Sequence, residues 1–450
     1  MFGGILKFRG ALMPLLVLGL GACIGISIAE WNHPFALEMN FQTIPMMQFD
    51  NYAIAFTILA LFTALLLFLL YHHLYHTKEK HLAEVYAILL FALCGVVVLF
   101  SFLHLLMLFL GIEILSVSLY VLAGIRKKDP GGNEAAMKYF LMGAFSTGFL
   151  LLGITLIYGV TGSFDLLQIR EFVTQHHTNL PPMLLGGIVL VLSGLLFKVA
   201  AFPFQFWTPD VYEGAPTMIT AFMATIGKIA SFAAFYRLFA FSFSGAYEQY
   251  HALLAVIAVA TMFAGNIIAI FQSGVKRMLA YSSIAHAGYL LLVLLAMNKD
   301  SANALLFYSM AYAFASLSAF AITAVLQEKT GTDDIQTFYG VGRKNPVLGI
   351  AMTVAMLSLA GIPVTAGFFG KLYIFSAAAQ SGYITVVILG VIASAISAYY
   401  YLRPVIAMWM KDSAQEGSIY AGKMNQGILL LLSLLSILLG MFPGFFSGLL

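Results

Sequence analysis

Long apolar runs of nearly uniform length, separated by short polar stretches, set the pattern of this chain. A helix needs about 20 mostly apolar residues to cross the ~30 Å hydrocarbon layer of a bilayer. By that measure about thirteen spans are expected, near 11–29, 51–72, 83–101, 103–124, 136–160, 183–208, 216–242, 251–272, 277–297, 302–326, 345–378, 382–410 and 426–446. The longest polar connections fall near 161–182 and 327–344. The pattern predicts an all-α polytopic membrane protein.

Two spans carry breakers at membrane depth. The sixth holds Pro203 and Pro209, and the eleventh holds Gly361-Ile362-Pro363 with Gly367 and Gly370. Proline removes a helix hydrogen bond and clashes with the preceding turn. Irregular backbone at that depth is tolerated where it lines a cavity or is buried in protein. The broken spans lie five apart, so consecutive five-helix units have opposite orientation, the mark of an inverted-topology repeat. The expected organisation is therefore 1–82 as N-terminal peripheral helices, 83–242 and 251–410 as the two five-helix units, and 411–450 with a C-terminal helix.

Composition narrows the class. Of 450 residues, 61% are hydrophobic and 9% charged, with mean hydropathy +0.95; soluble domains carry about 25% charged residues, so no soluble domain is expected. Loop charge then sets orientation. With the N-terminus inside, inside loops hold Lys7, Arg9, Lys78, Lys80, Arg126, Lys127, Lys128, Lys276, Arg277, Lys329, Arg343, Lys344, Lys411 and Lys423, and outside loops hold only Arg170 and Lys299. This is a positive-inside pattern, with the C-terminus outside. The basic residues read as topology signals and not as a nucleic-acid surface. The first apolar run has ordinary transmembrane length, so a cleavable signal peptide is not expected.

Four ionisable residues fall near the middle of spans: Glu113, Lys198, Lys228 and Lys371. A charge at the bilayer centre costs about 2.5–3.5 kcal/mol on insertion scales, and such residues mark ion paths and proton relays. Burial disfavours the charged form of lysine and a neighbouring carboxylate restores it, so moving the partner can make a lysine hold or release a proton. Arginine stays protonated and cannot do this. Glu113, about ten residues into its span, is the one acid expected at mid-membrane, as relay carboxylate and partner to a lysine. His286 sits about nine residues into its span, in the second unit's counterpart of the Glu113 position, and imidazole titrates near neutrality. The hydroxyls of Ser146, Thr147, Ser231, Ser316, Ser318, Ser394 and Ser397 are candidates for water wires or for helix packing.

Other groups read more plainly. His104, near a helix start, is expected to be structural. Asp210 and Glu213 are expected to order a turn at an inside helix end. His72, His73, His76 and His81 crowd one loop without an acidic partner, so no metal is expected. Cys23 and Cys94 lie alone in separate apolar runs and are expected to be buried small hydrophobes. No nucleotide, iron–sulfur or haem motif is evident, so any electrons must be carried by another chain.

Three stretches point to a family: Phe197-Lys198 through Trp207-Thr208-Pro209-Asp210-Val211-Tyr212-Glu213-Gly214-Ala215-Pro216, Lys276-Arg277-Met278-Leu279-Ala280-Tyr281-Ser282-Ser283-Ile284-Ala285-His286, and Leu357-Ser358-Leu359-Ala360-Gly361-Ile362-Pro363. From about residue 45 to the end the chain resembles subunit N of bacterial proton-translocating NADH:quinone oxidoreductase, respiratory complex I. Subunits M and L and the Mrp-type antiporters share the lysines and broken helices. Their segment after the first break usually differs, and subunit M uses glutamate where Lys371 stands here.

The resemblance implies a role for each matched position. Glu113 matches the membrane glutamate paired to Lys198, itself the lysine of the first broken helix. Lys228 matches the connecting lysine at the channel centre, Lys371 the lysine of the second broken helix on the exit route, and His286 falls in the polar central axis. It also implies no cofactor in this chain, with FMN and iron–sulfur clusters in partner subunits, and other membrane subunits of complex I as neighbours. The expected location is the lipid bilayer of the bacterial cytoplasmic (inner) membrane. Family members usually have fourteen helices with both termini outside, so a helix at the N-terminal end is expected to be missing through a late start or a shorter branch. Three rivals stay open: a Mrp-type cation/proton antiporter subunit, a structural membrane subunit without its own channel, and a solute carrier.

Overall fold

The computed structural model describes residues 9–33, 35–37, 45–75, 81–412, 421–446, 448 and 449. In chain order it contains α1 (Arg9–Ala29), a hairpin of β1 (Phe35–Leu37) and β2 (Met47–Phe49), α2 (Asn51–Tyr75), α3 (Leu82–Ser101), α4 (Leu105–Ala123), α5 (Pro130–Thr161), α6 (Leu166–Gln175), α7 (Pro182–Lys198) and α8 (Trp207–Gly214). Then come α9 (Thr217–Phe222), a π-helical turn (Met223–Gly227), α10 (Lys228–Phe241), α11 (Tyr247–Ile270), α12 (Val275–Ala296), α13 (Ser301–Thr330), α14 (Val341–Lys344), α15 (Pro346–Ala360), α16 (Ala366–Gln380), α17 (Ile384–Met410) and α18 (Lys423–Met441).

Among the described residues, eleven helices are long and apolar enough to cross a membrane. The two spans with internal breakers do not form single long helices. They supply the shorter apolar helices α7 and α15, each followed by a turn and a second segment, α8 or α16. The polar connection near 161–182 holds an extra helix, α6, whose Leu166, Ile169 and Val173 are buried.

Burial sorts the helices into two rings. The apolar windows of Thr217–Phe241 and Ser301–Thr330 are wholly buried within the protein and that of Val275–Ala296 is 94% buried, whereas those of Ile384–Met410 and Gly10–Ala29 are 28% and 17% buried. The first three form the centre, and the others turn apolar faces outward. Lipid tails are as apolar as leucine, so close packing of small residues has to hold such helices together. Gly153 and Gly187 show this on α5 and α7: a Cβ on Gly153 would lie 2.7 Å from the Gly187 carbonyl, and one on Gly187 3.0 Å from that of Gly153. Cys23 and Cys94 correct the expectation of burial. Both are exposed on outward faces, where an apolar surround replaces a protein core.

Both breaks use left-handed backbone. After α7, Ala200 has φ 60°; after α15, Gly361 has φ 81° and Val364 φ 78°. Non-glycine residues there store of order 1–3 kcal/mol of strain, held in place by the surrounding structure. The orphaned carbonyls of the first break find partners: Trp207 Nε1 donates to the Phe197 carbonyl at 3.1 Å. Far from the breaks, Arg237 near the end of α10 is buried. It donates from Nε to the Phe102 carbonyl at 3.0 Å and pairs with Asp50 at 3.0 and 3.1 Å. This ion pair, unnoticed in the spacing of apolar runs, ties α10 to the α3–α4 turn and the end of the hairpin.

Candidate functional site

Glu113, in the third turn of α4, is half-buried and faces α5. Thr147 Oγ1 donates to its Oε1 at 2.9 Å. Lys198, the last residue of α7, donates to Ser116 Oγ at 3.0 Å and to Thr147 Oγ1 at 3.5 Å. Glu113 and Lys198 are therefore brought together, with a correction to the expected pairing: among the described residues they form no direct ion pair, and the Thr147 hydroxyl stands between them. Three helices contribute these groups, α4 two of them (Glu113 and Ser116) and α5 and α7 one each, so no single stretch of sequence spells out the arrangement.

Thr147 is the sensitive point of this cluster. Thr147→Val keeps the shape and removes the hydroxyl, leaving one oxygen of Glu113 without its donor. A fully buried acceptor left unsatisfied costs about 1–3 kcal/mol, and Glu113, half-buried, loses less than that. The expected result is an assembled complex with slower proton movement, read as fewer protons per NADH oxidised. An unaltered ratio would show that the bridge is dispensable.

Lys228 begins α10 directly after the π-helical turn Met223–Gly227. Such turns are uncommon and often mark functional sites. The residue is 4% exposed, and its ammonium donates to both the carbonyl and the hydroxyl of Ser283 on α12. Lys198, Lys228, Ser116 and Tyr212 share a small cavity of about 30 Å³, enough for a water molecule, which needs about 10–15 Å³.

On the same helix as Ser283, His286 is 3% exposed with both ring nitrogens engaged: Nδ1 with Tyr308 Oη at 2.5 Å and Nε2 with Tyr401 Oη at 2.9 Å. Tyr401 Oη also meets Ser282 Oγ at 2.5 Å. His286 is not the positional counterpart of Glu113. Counted from the helix starts Leu105 and Val275, that place belongs to Ser283, and His286 lies almost one turn further on.

Lys371, on α16, donates at 2.8 Å to the carbonyl of Ala360 at the end of α15 and at 2.8 Å to Ser394 Oγ on α17, with its ammonium 5.1 Å from the centre of the Tyr289 ring. A cation at a helix C-terminus is favoured by the helix dipole. The second break thus creates the acceptor that holds its own lysine. A further cavity of about 10 Å³ is lined by His286, Tyr308, Tyr312 and Lys371.

The groups form two clusters of hydrogen bonds, each with a small cavity: Glu113, Thr147, Ser116, Lys198 and Lys228 in one, and His286, Tyr308, Tyr401 and Lys371 in the other, with Ser283, the partner of Lys228, on the same helix as His286. Ammonium, imidazole, carboxylate and hydroxyl groups in such contact can exchange protons, and the clusters are otherwise enclosed by apolar packing. Of the hydroxyls expected to matter, Thr147 and Ser394 contact the lysines, whereas Ser146, Ser231 and Ser397 donate to helix carbonyls. Ser116, Ser283, Tyr308 and Tyr401 were not foreseen as members. The serine pair 282–283 and the tyrosines at 308, 312 and 401, polar tips in apolar helices, are the signals that could have found them.

The remaining candidates lie outside these clusters. His104 caps α4, its Nδ1 accepting from Leu106 N–H at 3.3 Å, and burial pushes its imidazole below the usual value. His72 bonds Tyr86 at 3.0 Å, and His81 lies 3.5 Å from Glu84. His76, with Lys7, Lys78 and Lys80, lies outside the described residues. Asp210 and Glu213 do more than order a turn. Asp210 accepts from Lys138 at 2.7 Å and lies 3.1 Å from Arg277, which also bonds Glu213. Burial alone would raise the Asp210 carboxyl, but the Lys138 hydrogen bond and the two cationic charges outweigh it and hold the group below its ordinary value.

The family described as "NADH:quinone oxidoreductase/Mrp antiporter, TM" matches residues 102–397. NADH-quinone oxidoreductase subunit N of Trichlorobacter lovleyi is 47% identical over 370 residues, which is 82% of this chain and 76% of the relative. A chain in the structure of respiratory complex I from Thermus thermophilus with bound aureothin superposes with TM-score 0.83 at 35% identity, covering 98% of this chain and 94% of that one. A chain of the Mrp complex from Dietzia sp. DQ12-45-1b superposes with TM-score 0.88 at 19% identity, covering 100% and 93%, and shares the fold. With the family match across most of the membrane core and this identity to its curated relative, the chain belongs to the NADH-quinone oxidoreductase subunit N family, a multi-pass membrane branch of the antiporter-like proteins.

Proposed function

We propose that the chain translocates protons as a membrane subunit of NADH:quinone oxidoreductase, with the electron transfer carried out in other subunits. The observation that carries this reading is the polar line Glu113–Thr147–Lys198, Lys228–Ser283, His286 and Lys371, buried from Lys228 onward. Proton release by one lysine and uptake by the next requires such contacts inside a sealed protein.

In this reading a proton enters from the inside face and loads Lys198 or Lys228. Charge rearrangement around Glu113 then drives it along Lys228 and His286 toward Lys371 and outward. The chain binds no cofactor of its own and its reaction partner is the proton. FMN and iron–sulfur clusters belong to partner subunits, and other membrane subunits pack against its outward apolar faces in the bacterial cytoplasmic membrane, with the N-terminus inside and the C-terminus outside.

Two inverted units, 83–242 and 251–410, frame the line, between peripheral segments 1–82 and 411–450. Matching irregularities support that division. An isolated bridge joins His104 to Asp165 in one unit and Gly274 to Asp334 in the other, and a left-handed residue follows each half-helix, at Ala200 and at Gly361.

The experiment is gentle extraction of native membranes, native-gel separation, and detection of this chain beside in-gel NADH dehydrogenase activity. Co-migration in a very large active band is expected. A band lacking that activity, in undamaged extracts, would favour a Mrp-type antiporter assembly instead.

A further inference from the structure

Lys276 was read from sequence as one more inside-loop cation, yet it is 2% exposed. It lines a polar pocket of about 490 Å³ together with the acids Asp129, Glu134, Asp210 and Glu213. The neighbouring cations stay nearer the surface, Lys138 with its side chain 41% exposed and Arg277 33%. Arg277 takes the carboxylates of Asp210 and Glu213. Lys276 instead sends its ammonium inward, to the backbone carbonyls of Glu213 and Ala215, both at 2.8 Å. Those carbonyls end α8, the segment that follows the first break. The carboxylate of Asp333 accepts its backbone N–H at 2.9 Å.

This repeats the chemistry of the central lysines. Lys371 holds the carbonyl that ends α15, Lys228 holds a carbonyl of α12, and Lys276 holds carbonyls at the end of α8. Two positional facts connect it to the polar line. Ser283, the partner of Lys228, lies seven residues along α12 from Lys276, two turns on the same face and about 10 Å away at 1.5 Å per residue. Tyr212, which precedes Glu213, lines the cavity that Lys198 and Lys228 share. The pocket itself mixes acids and bases, so it offers no excess charge for a fixed anion or metal cation but does offer polar groups to water.

We propose that the pocket is the proton-entry vestibule on the face bearing the basic loops, and that Lys276 is the proton-transfer residue at its floor, handing protons toward Ser283 and Lys228. This deepens the proton-translocation reading and rests on it. A purely structural cap needs only a cation or a donor at the end of α8, whereas proton transfer needs a group that can let its proton go, which arginine does not.

The test compares Lys276→Arg, Lys276→Gln and Lys228→Ala in the intact complex reconstituted in proteoliposomes, measuring protons moved per NADH oxidised and the amount of complex assembled. Lys276→Arg is expected to assemble and to lower the ratio at least as far as Lys228→Ala. If Lys276→Arg fails to assemble, Lys276→Gln decides: a lowered ratio supports entry through Lys276. An unchanged ratio in an assembled Arg or Gln variant, or failure of both to assemble, makes Lys276 a structural cap and overturns the proposal. If Lys228→Ala leaves the ratio unchanged as well, the proton-translocation reading fails with it. A lowered ratio in Lys228→Ala alone confines the failure to the vestibule.

Discussion

Lys228→Ala in the intact complex assembles normally and moves fewer protons per NADH oxidised. Two terms decide the assembly outcome. Removing the ammonium leaves the Ser283 hydroxyl without its cation, but it also removes a charge that is expensive to bury. Alanine is the best helix former at the start of α10, and the vacated space joins a polar cavity of about 30 Å³ that can take up water. Stability therefore changes modestly.

Transfer through the chain changes much more. A positioned acid or base typically contributes about 10²–10⁴-fold to a proton-transfer step, and Lys228 is the group that links the Lys198 cavity to the Ser283–His286 side. At least ~100-fold loss of proton flux through this chain is expected, again with the proton-to-NADH ratio as readout. A wild-type ratio in fully assembled complex would remove Lys228 from the path.

Gly367→Ala has the largest expected effect on assembly. A Cβ there would lie 1.8 Å from the carbonyl oxygen of Ser358 and 2.6 Å from its carbon. The obstacle is backbone on α15, so no side-chain rotation relieves it. The same carbonyl accepts from the Gly361 N–H at 3.0 Å, and the Ser358 hydroxyl accepts from the Gly367 N–H at 3.1 Å. Overpacking of this kind typically costs about 1–3 kcal/mol, sometimes more.

The displacement also reaches function. Lys371 lies one turn further along α16, and its reach to the Ala360 carbonyl depends on how the two segments meet. Native gels of membranes carrying Gly367→Ala should show several-fold less assembled complex. Gly427→Ala serves as the control, because a Cβ there meets nothing within 4 Å. Equal assembly of the two variants would show that the second break is pliable.

Much of this was legible in the sequence because a bilayer leaves the chain few options. Backbone groups cannot be left unpaired in hydrocarbon, so long apolar runs must be helices, and the run boundaries near 51–72, 83–101 and 382–410 lie close to α2, α3 and α17. Proline and glycine at depth marked both breaks for the same reason. Intramembrane charges stood out because each is expensive there. Arg237 and Lys138 escaped notice, and Lys276 was read as a topology signal, since all three lie near span ends. Only burial and partners separate Arg237, paired with Asp50, from a loop arginine.

What the sequence determined by itself is the membrane class, the helices, the two breaks, the family, and the identity of Glu113, Lys198, Lys228, His286 and Lys371 as candidates. These follow from hydrophobicity, from backbone chemistry and from motifs contiguous along the chain. What only the tertiary structure decided is which groups meet: Thr147 between Glu113 and Lys198, Ser283 beneath Lys228, Tyr308 and Tyr401 on either side of His286, and the carbonyl of Ala360 held by Lys371. Each of those contacts joins different helices or the two halves of a broken one. The rotation and depth of a helix among its neighbours are set by side-chain packing over the whole bundle, which no local pattern of apolar residues encodes.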